Sequence, residues 1–405
     1  MSFFVFSFLE KHPCFQQFRR LKKHLIVQDG RAAFEAYQRL FALLLEHHHY
    51  SLTGFIAEQL LATESLFAQL SMEERLGNNL YNAALHDASI LSDMLLQDWR
   101  GELEGLLENP NLPHLEDVYP LDFDDPFQDE VAYLAHLLIA KDANMVVAFL
   151  DHYYRKHGVG ELAKARAFKY QDGHFVALEH PQSPQLAQLK YLDHQLQRLK
   201  DNTEAFLSQG GAQNCLLYGE RGSGKSTAVR ALLNEYGERG LRLIEVAPAD
   251  LGDLSEMLGQ LRNRPHHYIL FIDDLSFEAN DNRYQPLKSL LEGSLSARPN
   301  NVILYATSNR RNLIKEQFKD RPDPLDDDVH RWDTQNERLA LSDRFGLTIT
   351  FPSSNQKRYL DIVAKLLQDR DQLADHWQKE AIRFADWGNG YSGRTAQQFV
   401  EVFAS

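Results

Sequence analysis

Eight consecutive residues, Gly219, Glu220, Arg221, Gly222, Ser223, Gly224, Lys225 and Ser226, spell G-x-x-x-x-G-K-S. A glycine-rich turn of this pattern aims backbone N–H groups and a helix N-terminus at one point, where they hold phosphate oxygens. Lys225 would reach the β- and γ-phosphates of a triphosphate, and the Ser226 hydroxyl would ligate Mg2+. Thr227 completes the set expected against the phosphates. The surroundings suit the chemistry. Residues 214–218 are a short apolar run that reads as a strand, and residues 227–234 carry good helix formers.

A second apolar run, residues 268–272, ends in Asp273 and Asp274. In a strand beside a phosphate loop, a terminal acid holds Mg2+ through water, and Asp273 suits that role. Asp274, next along, would polarise the attacking water as general base. A turn-forming Asp pair at a strand end is the plainer alternative. Residues 302–308 form a third run, and Asn309 at its tip could hydrogen-bond the γ-phosphate or the lytic water, with Thr307 or Ser308 in reserve. Arg344 stands just before the last apolar run, at an edge remote from its own nucleotide. In a ring it would meet the neighbour's γ-phosphate as an arginine finger in trans; a surface pair with Asp343 is the alternative. Arg394 follows Ser392, an N-cap type. An arginine at a helix start is electrostatically misplaced, and a nearby triphosphate would account for it.

These residues need a scaffold. From residue 214 onward apolar runs at 214–218, 241–246, 268–273, 302–308 and 347–351 alternate with helical stretches, the pattern of a parallel sheet covered on both faces. A short strand is expected at 175–178 and a helix over 183–207. Residues 1–165 read as mostly helix, with Phe34, Tyr37, Leu40, Phe41, Leu44 and Leu45 at helical spacing and Ile56, Leu60, Leu61, Leu66 and Leu70 as a second packing stripe. The expected division is a helical N-terminal domain over 1–170, an α/β nucleotide-binding core over 171–352 and a C-terminal helical lid over 353–405.

Between the helical groups, residues 101–130 hold four prolines and many acids, an irregular connector. A second acidic stretch, 315–338, lies between Asn309 and Arg344 and is expected as a subunit-interface loop. His47, His48 and His49 invite a metal reading, but three consecutive residues on a helix point in different directions.

The chain has 405 residues, too many for one core, and a net charge of −14 that argues against wholesale nucleic-acid binding. Its two cysteines, Cys14 and Cys215, make no disulfide framework, which suggests a reducing compartment. The apolar N-terminus lacks a basic region and cleavage site, and no stretch is long enough to span a bilayer, so a cytoplasmic protein is expected.

In this order the five elements resemble those of AAA+ ATPases, over residues 175–405. Residues 219–226 look like Walker A and 269–274 like Walker B; Asn309 looks like sensor 1, Arg344 like the arginine finger and Arg394 like sensor 2. More narrowly, the strings Tyr-Gly-Glu-Arg-Gly-Ser-Gly-Lys-Ser, Asp-Asp-Leu-Ser-Phe-Glu, Tyr-Ala-Thr-Ser-Asn-Arg-Arg and Ser-Asp-Arg-Phe-Gly resemble the family called domain of unknown function 815. The resemblance implies a P-loop NTPase fold of AAA+ type and binding of ATP. One departure is that Asp274 stands where the superfamily usually has Glu, which bears on hydrolysis rate and not on binding. The expected activity is hydrolysis of ATP with Mg2+ in a homo-oligomer, doing work on a protein partner held by the N-terminal domain. Two alternatives stand beside it: an ATP-gated switch or scaffold with little turnover, and a helicase-loader-like ATPase on DNA. The charge, and a chain that ends shortly after Arg394, weigh against the last.

Overall fold

The computed structural model describes residues 2–47, 49, 51–107, 112, 126–178, 181, 184–208, 210–277, 283–292, 298–309, 313, 341–368, 376–388 and 390–403. They fall into two compact units, Met1–Lys164 and Ala165–Ser405.

The first unit is helical: α1 (Pro13–Ile26), α2 (Gly30–Glu46), α3 (Leu52–Ala62), α4 (Leu66–Met72), α5 (Asn78–Leu96), α6 (Trp99–Leu107), α7 (Pro126–Ile139), α8 (Ala143–His157) and α9 (Glu161–Lys164). Apolar residues one turn apart, such as Phe18, Leu21 and Leu25 in α1 and Tyr37, Leu40 and Leu44 in α2, share one core. Asp29, Ser51, Ser65 and Asp142 each accept a backbone N–H three residues on, satisfying donors that a helix start leaves free. The buried Asp87 carboxylate accepts the N–H groups of Phe4, Val5 and Phe6 at 3.1, 2.6 and 3.1 Å, which ties the N-terminal segment to α5.

Three expectations need correction. The stripe from Ile56 to Leu70 is two helices: α3 stops at Ala62, Ser65 caps α4, and Phe67 rather than the 62% exposed Leu66 takes the core position. The acidic connector is narrower than 101–130, because α6 continues to Leu107 and α7 starts at Pro126, a residue favoured at a first helical position. Its middle, 108–111 and 113–125, lies outside the described residues, as do His48 and the stretch 315–338. His47 caps the end of α2 instead of sitting within it, and His49 is buried with Nε2 2.5 Å from Glu58.

The second unit carries β1 (Ala167–Gln171), β2 (His174–Ala177), α10 (Asp193–Leu207), β3 (Cys215–Tyr218), α11 (Lys225–Tyr236), β4 (Leu241–Glu245), α12 (Leu254–Leu261), β5 (His267–Ile272), α13 (Tyr284–Leu291), β6 (Val302–Ser308), β7 (Leu347–Thr350), α14 (Gln356–Gln368), α15 (Trp377–Trp387) and α16 (Gly393–Phe403). The sheet runs β2-β1-β4-β5-β6-β3-β7. All its pairs are parallel except the hairpin β1–β2. Every residue of β6 is buried, as a central parallel strand covered on both faces must be. Leu217, Ile269, Phe271, Ile303 and Tyr305 pack with Leu232 and Tyr236 of α11, each such burial contributing about 1.5–3 kcal/mol.

The sheet starts at Ala167, so the hairpin straddles the expected boundary at 170/171. The helix expected from 183 begins only at Asp193. Before it, Leu186–Gln188 forms a single 3-10 turn and Tyr191 has φ +59°, a left-handed conformation no helix accommodates. The C-terminal helices keep a core of their own, with Tyr359, Val363, Ala381, Ala396 and Phe399 inside. Among the described residues no helix is long and apolar enough to cross a membrane.

Candidate functional site

Strand order decides which tips meet. β6 lies between β3 and β5, with Tyr218 paired to Ser308 and Ile272 to Ala306. One residue further along each strand, Gly219 stands beside Asn309, and Asp273 beside Thr307. The turn after β3 then feeds α11, whose first turn has no side-chain cap among the described residues. Its N–H groups are left for a ligand. Two glycines make the turn possible. Gly222 has φ +77°, and a Cβ there would lie 2.8 Å from Ser392 at the start of α16; Gly224 has φ +97°, and a Cβ there would lie 3.1 Å from Leu189.

Lys225 is buried. Its Nζ donates to the carbonyls of Gly219 and Glu220 at 2.7 and 2.8 Å and to Asn309 Oδ1 at 3.1 Å. Burial pulls its pKa below the ordinary lysine value, and the nearby Asp274 and Asp273 oppose that fall. Asp273 Oδ1 accepts from the hydroxyls of Ser226 at 2.5 Å and Thr307 at 2.6 Å, while its Oδ2 accepts from Arg230 at 3.3 Å. Asp274 is in the left-handed region at φ +54°, its N–H donating to Thr307 Oγ1 at 2.9 Å and its Oδ1 accepting from Asn309 Nδ2 at 2.6 Å. Three strand tips thus converge on one cluster.

The cluster lines a cavity of about 650 Å³. Five cationic side chains face it, Lys190, Arg221, Lys225, Arg358 and Arg394, while a sixth, Arg230, is turned to the acids Glu245 and Asp273. A cationic cleft in an acidic protein suits a polyphosphate. Leu189, Leu192 and Ile362 supply an apolar side, and the volume is in the range of small-molecule sites. The oxygen pair Ser226 Oγ and Asp273 Oδ1 fits Mg2+, a hard cation bound by few protein oxygens and a phosphate.

Of the residues expected from the sequence, Arg221, Gly222, Ser223, Gly224, Lys225, Ser226, Thr227, Asp273, Asp274, Asn309 and Arg394 line the cavity; Gly219 and Glu220 contribute the carbonyls that grip Lys225. Arg394 is exposed in the first turn of α16, where Ser392 Oγ accepts the Thr395 N–H at 3.0 Å. Arg344 does not line the cavity; it lies before β7, paired with Glu292. Three residues have places that the sequence reading did not give them. Thr307 was held in reserve for Asn309 and instead orders Asp273. Arg230 lies four positions after Ser226, a spacing that puts both on one helix face. Arg358, in the first turn of α14, donates to the Tyr191 carbonyl across the cavity rim.

The parallel sheet and this loop define a P-loop fold, in which a strand runs through a glycine-rich turn into the start of a helix. Within that fold class the chain belongs to the family described as "Protein of unknown function (DUF815)", whose model matches residues 163–405. No curated protein matches the chain. Among solved structures it is similar to the Thermotoga maritima RuvB Holliday junction branch migration motor, at 15% identity and a TM-score of 0.32, covering 54% of this chain and 71% of that one. It is also similar to the Aeropyrum pernix ORC1 protein in complex with DNA, at 15% identity and a TM-score of 0.36, covering 52% and 59%.

Proposed function

We propose that this protein is a Mg2+-dependent ATPase that couples nucleotide turnover to movement of its C-terminal helices against the sheet, and so does work on a protein partner. The observation that carries the reading is the convergence of Lys225, Ser226 and Asp273 at the uncapped start of α11. ATP arriving there would take the Lys225 ammonium from the Gly219 and Glu220 carbonyls, exchanging neutral acceptors for phosphate oxygens. Ser226 and Asp273 would hold Mg2+, which would supply positive charge against the triphosphate. Asp274 would accept the proton of the attacking water, and Asn309 would orient that water or the γ-phosphate. Arg394, in the helix that meets Gly222, would report phosphate occupancy to the C-terminal bundle. Arg344 would act on the neighbour's nucleotide in a homo-oligomer, and residues 1–170 would hold the partner.

The test is ATP binding and steady-state phosphate release by the full chain. Lys225→Ala should abolish both; tight retention of ATP by that variant would sink the reading. A second reading, a switch in which occupancy alone controls assembly, is favoured by the short acid Asp274 and the amide that already occupies it. Sustained turnover supports the motor, and one turnover per site the switch.

A further inference from the structure

Arg230 spans two strand tips. Its guanidinium lies 5.6 Å from the centre of the Phe271 ring, Nε donates to Glu245 Oε1 at 2.8 Å and the terminal nitrogen donates to Asp273 Oδ2 at 3.3 Å. Glu245 ends β4 and is in register with Phe271 on β5, two residues before Asp273. The arginine comes from α11, the same helix that presents Ser226. Both oxygens of Asp273 therefore have partners: Oδ1 the hydroxyls of Ser226 and Thr307, Oδ2 the guanidinium.

We propose that Arg230 is a positioning residue for the metal of the metal–triphosphate complex: anchored by Glu245 and stacked on Phe271, it fixes the Asp273 carboxylate so that Oδ1 stays beside Ser226. This rests on the nucleotide-binding reading above. Two features point to positioning rather than to a phosphate contact. The closer partner of the guanidinium is Glu245, which offsets its charge and lessens repulsion of a cation. The arginine also approaches Asp273 at the oxygen that Ser226 leaves alone. Without it the carboxylate keeps only hydroxyl partners on one oxygen and can turn about its side-chain bonds. Partners that orient a metal ligand in this way are typically worth about 10–100-fold in metal affinity.

The experiment is a titration of the full chain with a fluorescent ATP analogue, first in EDTA and then over a range of Mg2+. Arg230→Met keeps a side chain of similar reach over Phe271. It should leave binding in EDTA unchanged and raise the Mg2+ concentration needed for half the metal effect by about tenfold. Arg230→Lys should recover part of the loss. Glu245→Gln, which removes the anchor and not the cation, should shift the Mg2+ curve the same way by less. A purely structural role would not separate the EDTA and Mg2+ arms. An unchanged Mg2+ curve in Arg230→Met overturns the proposal, as does tighter Mg2+ binding, which would make Arg230 a repelling charge. Weaker binding in EDTA also overturns it, since the guanidinium would then touch phosphate. A wild-type chain that binds no analogue in either arm sinks the nucleotide reading itself, a result distinct from a failure of Arg230 alone.

Discussion

Asn309 donates its side-chain N–H to Oδ1 of Asp274 at 2.6 Å, while its own carbonyl oxygen accepts from Lys225 at 3.1 Å. One amide at the tip of β6 thus joins Lys225 to Asp274, which in the proposed function would meet the phosphate and the attacking water. Both bonds would have to loosen for a triphosphate and an attacking water to enter, and the amide would then be free to hold either. Asn309→Ala should therefore bind ATP almost as the wild type does but hydrolyse it about 10²–10³-fold more slowly, the usual cost of one preorganised donor. Single-turnover phosphate release against analogue binding separates the two effects. A variant that turned over at the wild-type rate would remove Asn309 from the chemistry.

Arg344 is paired with Glu292 and does not line the cavity of its own chain. If it serves a neighbour, Arg344→Ala should bind ATP without turning it over. Mixing it with Lys225→Ala, whose pocket is empty but whose arginine is intact, should restore part of the activity. The recovery should peak at an intermediate ratio. Mixtures with no activity at any ratio would favour a role within one chain or a monomer.

Gly222 couples the phosphate loop to the last helix. A Cβ on it would meet Ser392 at 2.8 Å, and its φ of +77° costs an alanine about 1 kcal/mol or more of strain. Gly222→Ala should lower the melting temperature and weaken ATP binding together, because relief of the clash moves the loop or the start of α16. Gly240, also at positive φ (+88°), has open space around its Cβ direction and serves as control. Gly240→Ala should cost stability and leave ATP affinity unchanged.

The parts of this site carried by neighbours in sequence could be read from the sequence. Gly219 to Ser226 is a local pattern, and Asp273 and Asn309 each end an apolar run whose burial is dictated by composition. What could not be read depends on contacts between strands. Arg230 gains its meaning only because β4 lies beside β5, which brings Glu245 and Asp273 within reach of one guanidinium. Thr307 was legible as a polar strand tip, but its role is set by the register that places it next to Asp273. Helix ends failed for the same reason. The left-handed turn at Tyr191 that delays α10 goes with contacts to Arg358 and Asp361 far along the chain. The hairpin strand β1 does alternate, with Lys169 exposed between buried Phe168 and Tyr170, but over five residues that pattern is too short to stand out from its surroundings.

The first unit carries a pH dependence of its own. His12 caps α1, its Nδ1 accepting the Cys14 N–H at 3.3 Å, and its ring lies 4.7 Å from that of Phe55 and 5.2 Å from that of His47. A proton on Nδ1 would abolish the cap. Burial first, and the charge of His47 second, hold the imidazole below its ordinary value of 6.5. The unfolded chain therefore takes up a proton at about 6.5 while the folded chain resists, so the folded state loses stability as pH falls through 6.5 toward the lower native value. Above 6.5 the contribution is constant. His12→Asn keeps an oxygen acceptor at the cap position without a titrating ring. Urea unfolding followed across this range should show a shallower acid-side slope for the variant than for the wild type, with similar stability on the alkaline side. Parallel slopes would mean that other groups carry the acid sensitivity.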